Sequence, residues 1–385
     1  MPALYRVLVW SLNALASGLF PTHDHEGRKF DEGYYPLRAK VAGTPLAGGF
    51  RGVFSELRGD WKYQVESLCL TRSYLSLECC HLCKAHKNIE RLWYTRNERN
   101  SVLRKTLITH AGFRDEQRGR PVDRQSPFLD LIGFHIWFCL VDAMHCLDLG
   151  VYQSLAASGL LFAVQRGVWE GANIQERFYR AHAQYSEWCK THHYAPCPPF
   201  MYAKLCPSNE YPAFTQQLAK AAATKHLMEW LFTIFDAPGF ISDDDDETYL
   251  VWLLFQQWHV FEAICKRSSR FLSEAVVPEL VEATELALKT HSVLHARATA
   301  RGLLRWQIQP KQHMASHLGY DMAGRFRLNP RCTTNYADED FVGKIKKIMA
   351  SCHGRTAGRM GVSRYIILIG LRWFNQLAKL RHIRP

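Results

Sequence analysis

Gly59-Asp60-Trp61-Lys62, followed by Cys80-His81-Leu82-Cys83, is the stretch whose reading decides the fold. A C-x-x-C pair offers two thiolates to one metal ion, but a structural zinc takes four ligands. The other two are sought about 230 residues on, in His313-Met314-Ala315-Ser316-His317. Histidines at i and i+4 lie on one face of a helix. A carboxylate accompanies each half: Asp60 precedes the cysteines, and Asp338-Glu339-Asp340 follows the histidines. A zinc held by Cys80, Cys83, His313 and His317 would therefore draw Asp60 and Glu339 towards one place.

The rest of the chain sets the bounds on that reading. Its 385 residues suffice for one large or two moderate domains. A hydrophobic fraction of 47% against 22% charged residues argues for a folded protein over a disordered one. The formal excess of +12 sits at one end: sixteen Lys/Arg against four Asp/Glu lie from Arg301 to Pro385, and the preceding residues balance. A basic end of this kind suits a polyanion, nucleic acid before membrane, or serves as a solubilising surface. Twelve cysteines at irregular spacings, with no secretory leader, fit a reducing compartment and free or metal-bound thiols. The apolar run from Ile132 to Val151 is interrupted by His135, Asp142, His145 and Asp148, which argues against a membrane span.

In chain order, residues 3–16 read as a strand, alone or running into a short helix, and the β-branched and aromatic content of residues 3–10 reads as buried strand. Val53–Leu57 reads as a short strand that delivers Asp60 at its end, where open α/β sheets put working residues; alternatively Asp60 caps a helix over 61–70. Asp24 and Asp31 fall in loop-like segments. Residues 84–124 carry eleven Lys/Arg with Trp93 and Tyr94 among them, either a nucleic-acid contact or an exposed linker. Asp142 and His145, at i and i+3, share a helix face in apolar surroundings and need a partner or a site. From Tyr152 to about Gln309 the apolar residues recur at three and four, a helical insertion. Within it His192, His193, Cys197 and Cys206 are a weaker candidate for a second metal site. Residues 341–349 read as a helix with Phe341, Ile345 and Ile348 on one side.

Taken in order, Gly59-Asp60, Cys80-x-x-Cys83, Asp142-x-x-His145, His313-x3-His317 and Glu339 resemble the catalytic core of cut-and-paste DNA transposases of the DDE class. The resemblance is to the CACTA, Transib and Plavaka groups and to the catalytic core of the V(D)J recombinase. It extends to Asp142-Ala143-Met144-His145 with Leu149-Gly150-Val151, and to Asp338-Glu339-Asp340-Phe341-Val342-Gly343. It implies an α/β fold of large helical content. Residues 1–150 would hold a partial RNase H-like core with the C-x-x-C element, 151–309 the insertion, and 310–385 the His-x3-His element, a last catalytic-type helix and a basic tail.

The implied activity is metal-dependent DNA cleavage and strand transfer in the nucleus. Asp60 and Glu339 would hold Mg²⁺ or Mn²⁺, with Asp338 and Asp340 as rivals of Glu339, and His145 would sit beside the scissile phosphate. The zinc would be structural, and Lys344, Lys346, Lys347 and Arg355 would contact phosphates. The implied partners are DNA and a second copy in a homodimer, with no membrane and no small-molecule substrate. The family's first catalytic Asp has no counterpart in residues 3–16, and Asp24 is the only early substitute, so the chain is expected to be truncated at its N-terminus and its status as an enzyme stays open. The alternatives are a catalytically dead, zinc-stabilised nucleic-acid-binding remnant and a helical protein-interaction module.

Overall fold

In the computed structural model, which describes residues 2–381, the opening apolar run is a helix, α1 (Pro2–Ser17), and not the expected strand. Tyr5, Val9 and Leu12 recur at i, i+4 and i+7 and pack inward, with Tyr5 5.6 Å from Phe128 between ring centroids. Leu4, Leu8 and Leu15 remain exposed. The 3.6-residue period and the Leu- and Ala-rich second half outweigh the β-branched residues of the first.

The expected α/β sheet is likewise replaced. Among the described residues the backbone makes only isolated bridges, and no strand ladder forms. One bridge is parallel, between Leu57 and Cys139: Leu57 N–H donates to Phe138 at 2.7 Å and Leu140 N–H donates to Leu57 at 3.2 Å. The pairing stops there because α3 (Trp61–Ser67) begins after Asp60 on one side and tight turns at Pro127–Asp130 and Ile136–Phe138 break the other. The short helices α2 (Pro36–Val41) and α4 (His110–Arg118) complete this loop-rich part.

From residue 144 the chain is helical. A π-helical turn, Met144–Val151, runs into α5 (Tyr152–Gln165), and then follow α6 (Ile174–Thr191), α7 (Tyr202–Leu205), α8 (Ala221–Phe235), α9 (Asp246–Arg267) and α10 (Val277–Ala300). Residues 144–165 are apolar and long enough to cross a membrane, but 94% of the most apolar window is buried among the other helices, as befits a core helix. Helices α5, α8, α9 and α10 pack in sequence, and the apolar stripes Leu227/Trp230/Leu231 and Val251/Leu254/Phe255/Trp258/Phe261 are buried. Asp245 caps α9, accepting from Glu247 N–H at 3.0 Å. α11 (Pro310–His317) continues through a second π-helical turn, Leu318–Arg325, and packs against α10.

The chain divides into two units, Met1–Thr334 and Asn335–Pro385. The segments 1–150 and 151–309 expected from the sequence both fall in the first, together with α11. The second holds α12 (Tyr336–Ala350) and α13 (Ala357–Arg381), with Phe341 against Tyr365 at 5.4 Å between ring centroids.

His291 on α10 is buried, and Nε2 donates to the Trp306 carbonyl at 3.1 Å. Burial disfavours its charged form and pushes its pKa down to about 3. The folded value lies below the unfolded value of about 6.5, so the stabilisation is present above that pH and is lost as pH falls towards 3. We expect His291→Gln to remove one proton from the acid dependence of unfolding. Urea titrations at pH 7 and pH 4.5 would register a stability slope smaller by about 1.4 kcal/mol per pH unit. An unchanged slope would refute the assignment.

Candidate functional site

Cys80 and Cys83 sit on a tight knuckle between the α3 region and the basic segment. Cys79 N–H donates to the Ala85 carbonyl at 3.0 Å, and Ile108 N–H to the Leu82 carbonyl at 2.9 Å. Leu82 N–H points at the Cys80 sulfur, 3.3 Å away, a contact that favours a thiolate. His313 and His317 stand one turn apart on α11, where Pro310 starts the helix. All four side chains are buried, and their ligand atoms lie within 4.8 Å of one another.

The spacing fits a tetrahedral zinc. Bonds of about 2.0–2.1 Å to nitrogen and about 2.3 Å to sulfur give N–N edges of about 3.4 Å and N–S edges of about 3.6 Å. Here the two Nε2 atoms are 3.2 Å apart, Cys83 Sγ is 3.1 Å from His313 Nε2, and Cys80 Sγ is 3.3 Å from His317 Nε2. Two soft thiolates and two imidazoles make a donor set that suits structural zinc.

The other ring nitrogens are held as zinc-bound histidines require. His313 Nδ1 lies 3.0 Å from Asn97 Oδ1, and His317 Nδ1 lies 2.6 Å from Asp321 Oδ2. Arg104 donates to the other Asp321 oxygen at 2.5 Å. Burial drives the Cys80 thiol upward, with the Cys83 thiol adding to it. Burial alone would lower His317, but Cys80 and Asp321 outweigh it and raise the pKa to about 9. A bound metal would take the place of these protons. Arg104 belongs to the basic 84–124 segment, so part of that charge is structural and is not presented to a partner.

Beside this centre lies a cleft of about 300 Å³ whose walls include Asp60, Asp142, His145 and Lys311. Asp60 takes the helix-cap reading and not the strand-end one: it caps α3, accepting from Tyr63 N–H at 2.6 Å, and its residue lines the cleft. Gln64 on α3 donates to the Leu140 carbonyl at 2.5 Å and ties that helix to the segment leading to Asp142. Asp142 accepts from Met144 N–H at 3.0 Å and holds His145 through Nδ1, the arrangement that orients an imidazole for proton handling. The π-helical turn starts here, a form that recurs at functional sites.

Lys311 enters from α11, two residues before His313. Its ammonium donates to the Leu149 carbonyl, and its stem lies across Gly150, where a Cβ would come within 2.5 Å of Lys311 Cδ. Cys146 donates its S–H to the Lys311 carbonyl at 3.2 Å. Burial lowers the Lys311 pKa, and Cys146, Asp142 and Asp60 work against that. The helix that carries two metal ligands thus also carries a cation into the two-carboxylate cleft.

The structure therefore brings together Cys80, Cys83, His313 and His317, and separately Asp60 and His145. Glu339, flanked by Asp338 and Asp340, lies in the first turn of α12 in the second unit, where acidic side chains favour a helix N-terminus. Lys344, Lys346, Lys347 and Arg355 are exposed in that unit, with Lys344 3.6 Å from Asp340. Asp24 serves its own turn, accepting from Glu26 and Arg28 N–H at 2.9 Å. His192, His193, Cys197 and Cys206 do not gather; among the described residues the Cys80 group is the one cluster suited to a metal. All twelve cysteines are free thiols. Sequence reasoning missed Asn97, Arg104 and Lys311, and also Asp321, although its i+4 spacing from His317 was a usable signal.

No protein-family model, no curated protein and no solved structure matches the chain.

Proposed function

We propose that the chain is a transposase-derived protein of the DDE class that binds DNA and, where its site is complete, cleaves it and transfers strands. The observation that carries this reading is that Asp60, Asp142 and His145 line one cleft directly beside a buried Cys2His2 centre. Those motifs are scattered over more than 250 residues, and their order is the one that the resemblance requires. On this reading the parallel contact between Leu57 and Cys139 is what remains of an RNase H-like sheet, with Asp60 and Asp142 each three residues past it, beyond the same end. Asp60 and Asp142 would hold Mg²⁺ or Mn²⁺, which neutralises charge on a transferring phosphoryl group. His145, held by Asp142, would handle the proton of the attacking water. Zinc would keep α11, and hence Lys311, against the cleft. The exposed Lys346, Lys347 and Arg355 of the second unit would contact phosphates, in a nuclear setting and in a homodimer.

One observation favours a second reading, a zinc-stabilised DNA-binding remnant without catalysis. The Lys311 ammonium already supplies a cation to the two carboxylates, and that works against paired divalent ions.

The test is nicking of supercoiled plasmid in Mn²⁺ and Mg²⁺, alongside salt-dependent binding of duplex DNA. The first reading expects nicking that falls by roughly 10²–10⁴-fold in His145→Ala and is abolished in Asp60→Asn. Salt-dependent binding without nicking by the wild type selects the remnant. Neither binding nor nicking sinks both, and a helical protein-interaction module is then what is left.

A further inference from the structure

A second cavity, of about 340 Å³, opens between α8 and α9, with Tyr194 and Arg331 also in its wall. It shares no lining residue with the cleft at Asp60. Two residues of its wall carry a polar atom that lacks any partner, just beneath the surface. Trp258 is only 2% exposed, yet its indole N–H reaches no acceptor, and His226 Nδ1 is also buried and unpaired. Such groups are costly to leave unsatisfied, and in a cavity wall they mark where a ligand's polar edge would go. The His226 ring is stacked on Tyr194, 3.7 Å between centroids and 7° from parallel, so the wall already arranges flat rings face to face.

The charges sort by depth. Lys225 and Glu262 pair with each other, and Tyr152 O–H donates to Glu262 at 3.1 Å, so this group is satisfied internally. Lys266 and Arg331 are exposed in the wall, and among the described residues neither is in an ion pair. The lining also holds one carboxylate in no ion pair among the described residues, Glu229. A ligand that suits these walls has a flat ring with a hydrogen-bond acceptor for the indole and an anionic group for the two cations. The volume lies in the range of small-molecule sites, about 300–1,000 Å³.

We propose that this cavity is a nucleotide-binding site, taking the base against Trp258 and His226 and the phosphate on Lys266 and Arg331. The nucleotide is either free or part of a single strand. This site is independent of the chemistry assigned to the Asp60 cleft.

The test is isothermal titration of the zinc-loaded full chain with AMP and with GMP. One site per chain is expected. Lys266→Glu and Arg331→Glu are surface changes, and each should weaken binding by about tenfold or more. Trp258→Phe keeps an aromatic face but removes the N–H and the five-membered ring, and a loss of about fivefold is expected, with thermal melting confirming that the variant is folded. Displacement of AMP by a dA 12-mer but not by an abasic 12-mer identifies the strand as the source, and displacement by neither identifies the free nucleotide. Absence of binding of AMP, GMP and both oligomers at millimolar concentration overturns the site, as does binding indifferent to Arg331→Glu and Trp258→Phe. Plasmid nicking or duplex binding that survives such a failure leaves the transposase-derived reading standing.

Discussion

His313→Ala is expected to abolish zinc binding and to unfold the first unit. Elemental analysis of the wild type should give one zinc per chain, and of this variant and Cys83→Ser, none. Zinc bound by two thiolates and two imidazoles contributes about 10–16 kcal/mol in small domains, comparable to the whole stability of an ordinary protein, about 5–15 kcal/mol. The four ligands here are buried and hold the cysteine knuckle against α11, so the apo state would keep two thiols and two imidazoles packed with no metal between them. Loss of helical circular dichroism on chelation, restored by added zinc, is the expected course. Zinc retained in His313→Ala, or an apo protein with an unchanged melting curve, would separate the two halves of the centre and with them the argument for the adjoining cleft.

Gly319→Ala should be strongly destabilising although it adds a single methyl. Gly319 follows His317 by two residues and faces Thr284 of α10, which is fully buried. A Cβ at Gly319 would lie 2.3 Å from Thr284 Oγ1 and 2.4 Å from its Cγ2. Threonine is stiff at χ1, and its hydroxyl is already bonded to the Leu280 carbonyl at 2.9 Å, so it cannot swing aside. We expect a loss of about 3 kcal/mol, read by urea unfolding. Thr284→Gly should cost about 0.3 kcal/mol from helix propensity and further from the space it leaves. The double variant refills that space and should be more stable than Gly319→Ala alone. If the two losses simply add, the close approach of α10 to the metal-bearing helix is not what the glycine serves.

What could be read beforehand follows from how local the signals are. The four zinc ligands were legible because C-x-x-C and H-x3-H are each set by one turn of backbone, although nothing local told that the two meet. The helical stripes of α8 and α9 were legible from their period. α1 was misread because its apolar residues lie on several faces, and β-branched content in a short window does not separate strand from buried helix. The sheet was over-read: of Val53–Leu57 only Leu57 is bridged, because a ladder depends on partners far along the chain, and these are turns. Of the two readings of Asp60 the helix cap is the one that formed, and a cap needs only one carboxylate oxygen, so the residue also lines the cleft. Lys311 was invisible because its role depends on Gly150, 161 residues earlier, lacking a side chain.

The distance along the chain between the two halves of the metal centre also bears on synthesis. His313 leaves the ribosome 230 residues after Cys83, which at about 5–20 residues per second is a delay of about 12–45 s. During that interval the cysteine knuckle has only half its ligands, while the helices in between are already able to pack. With zinc as the ion, the nascent chain would carry a pair of thiols that other metals or oxidants can reach, and the four-ligand site could be completed only after α11 had emerged.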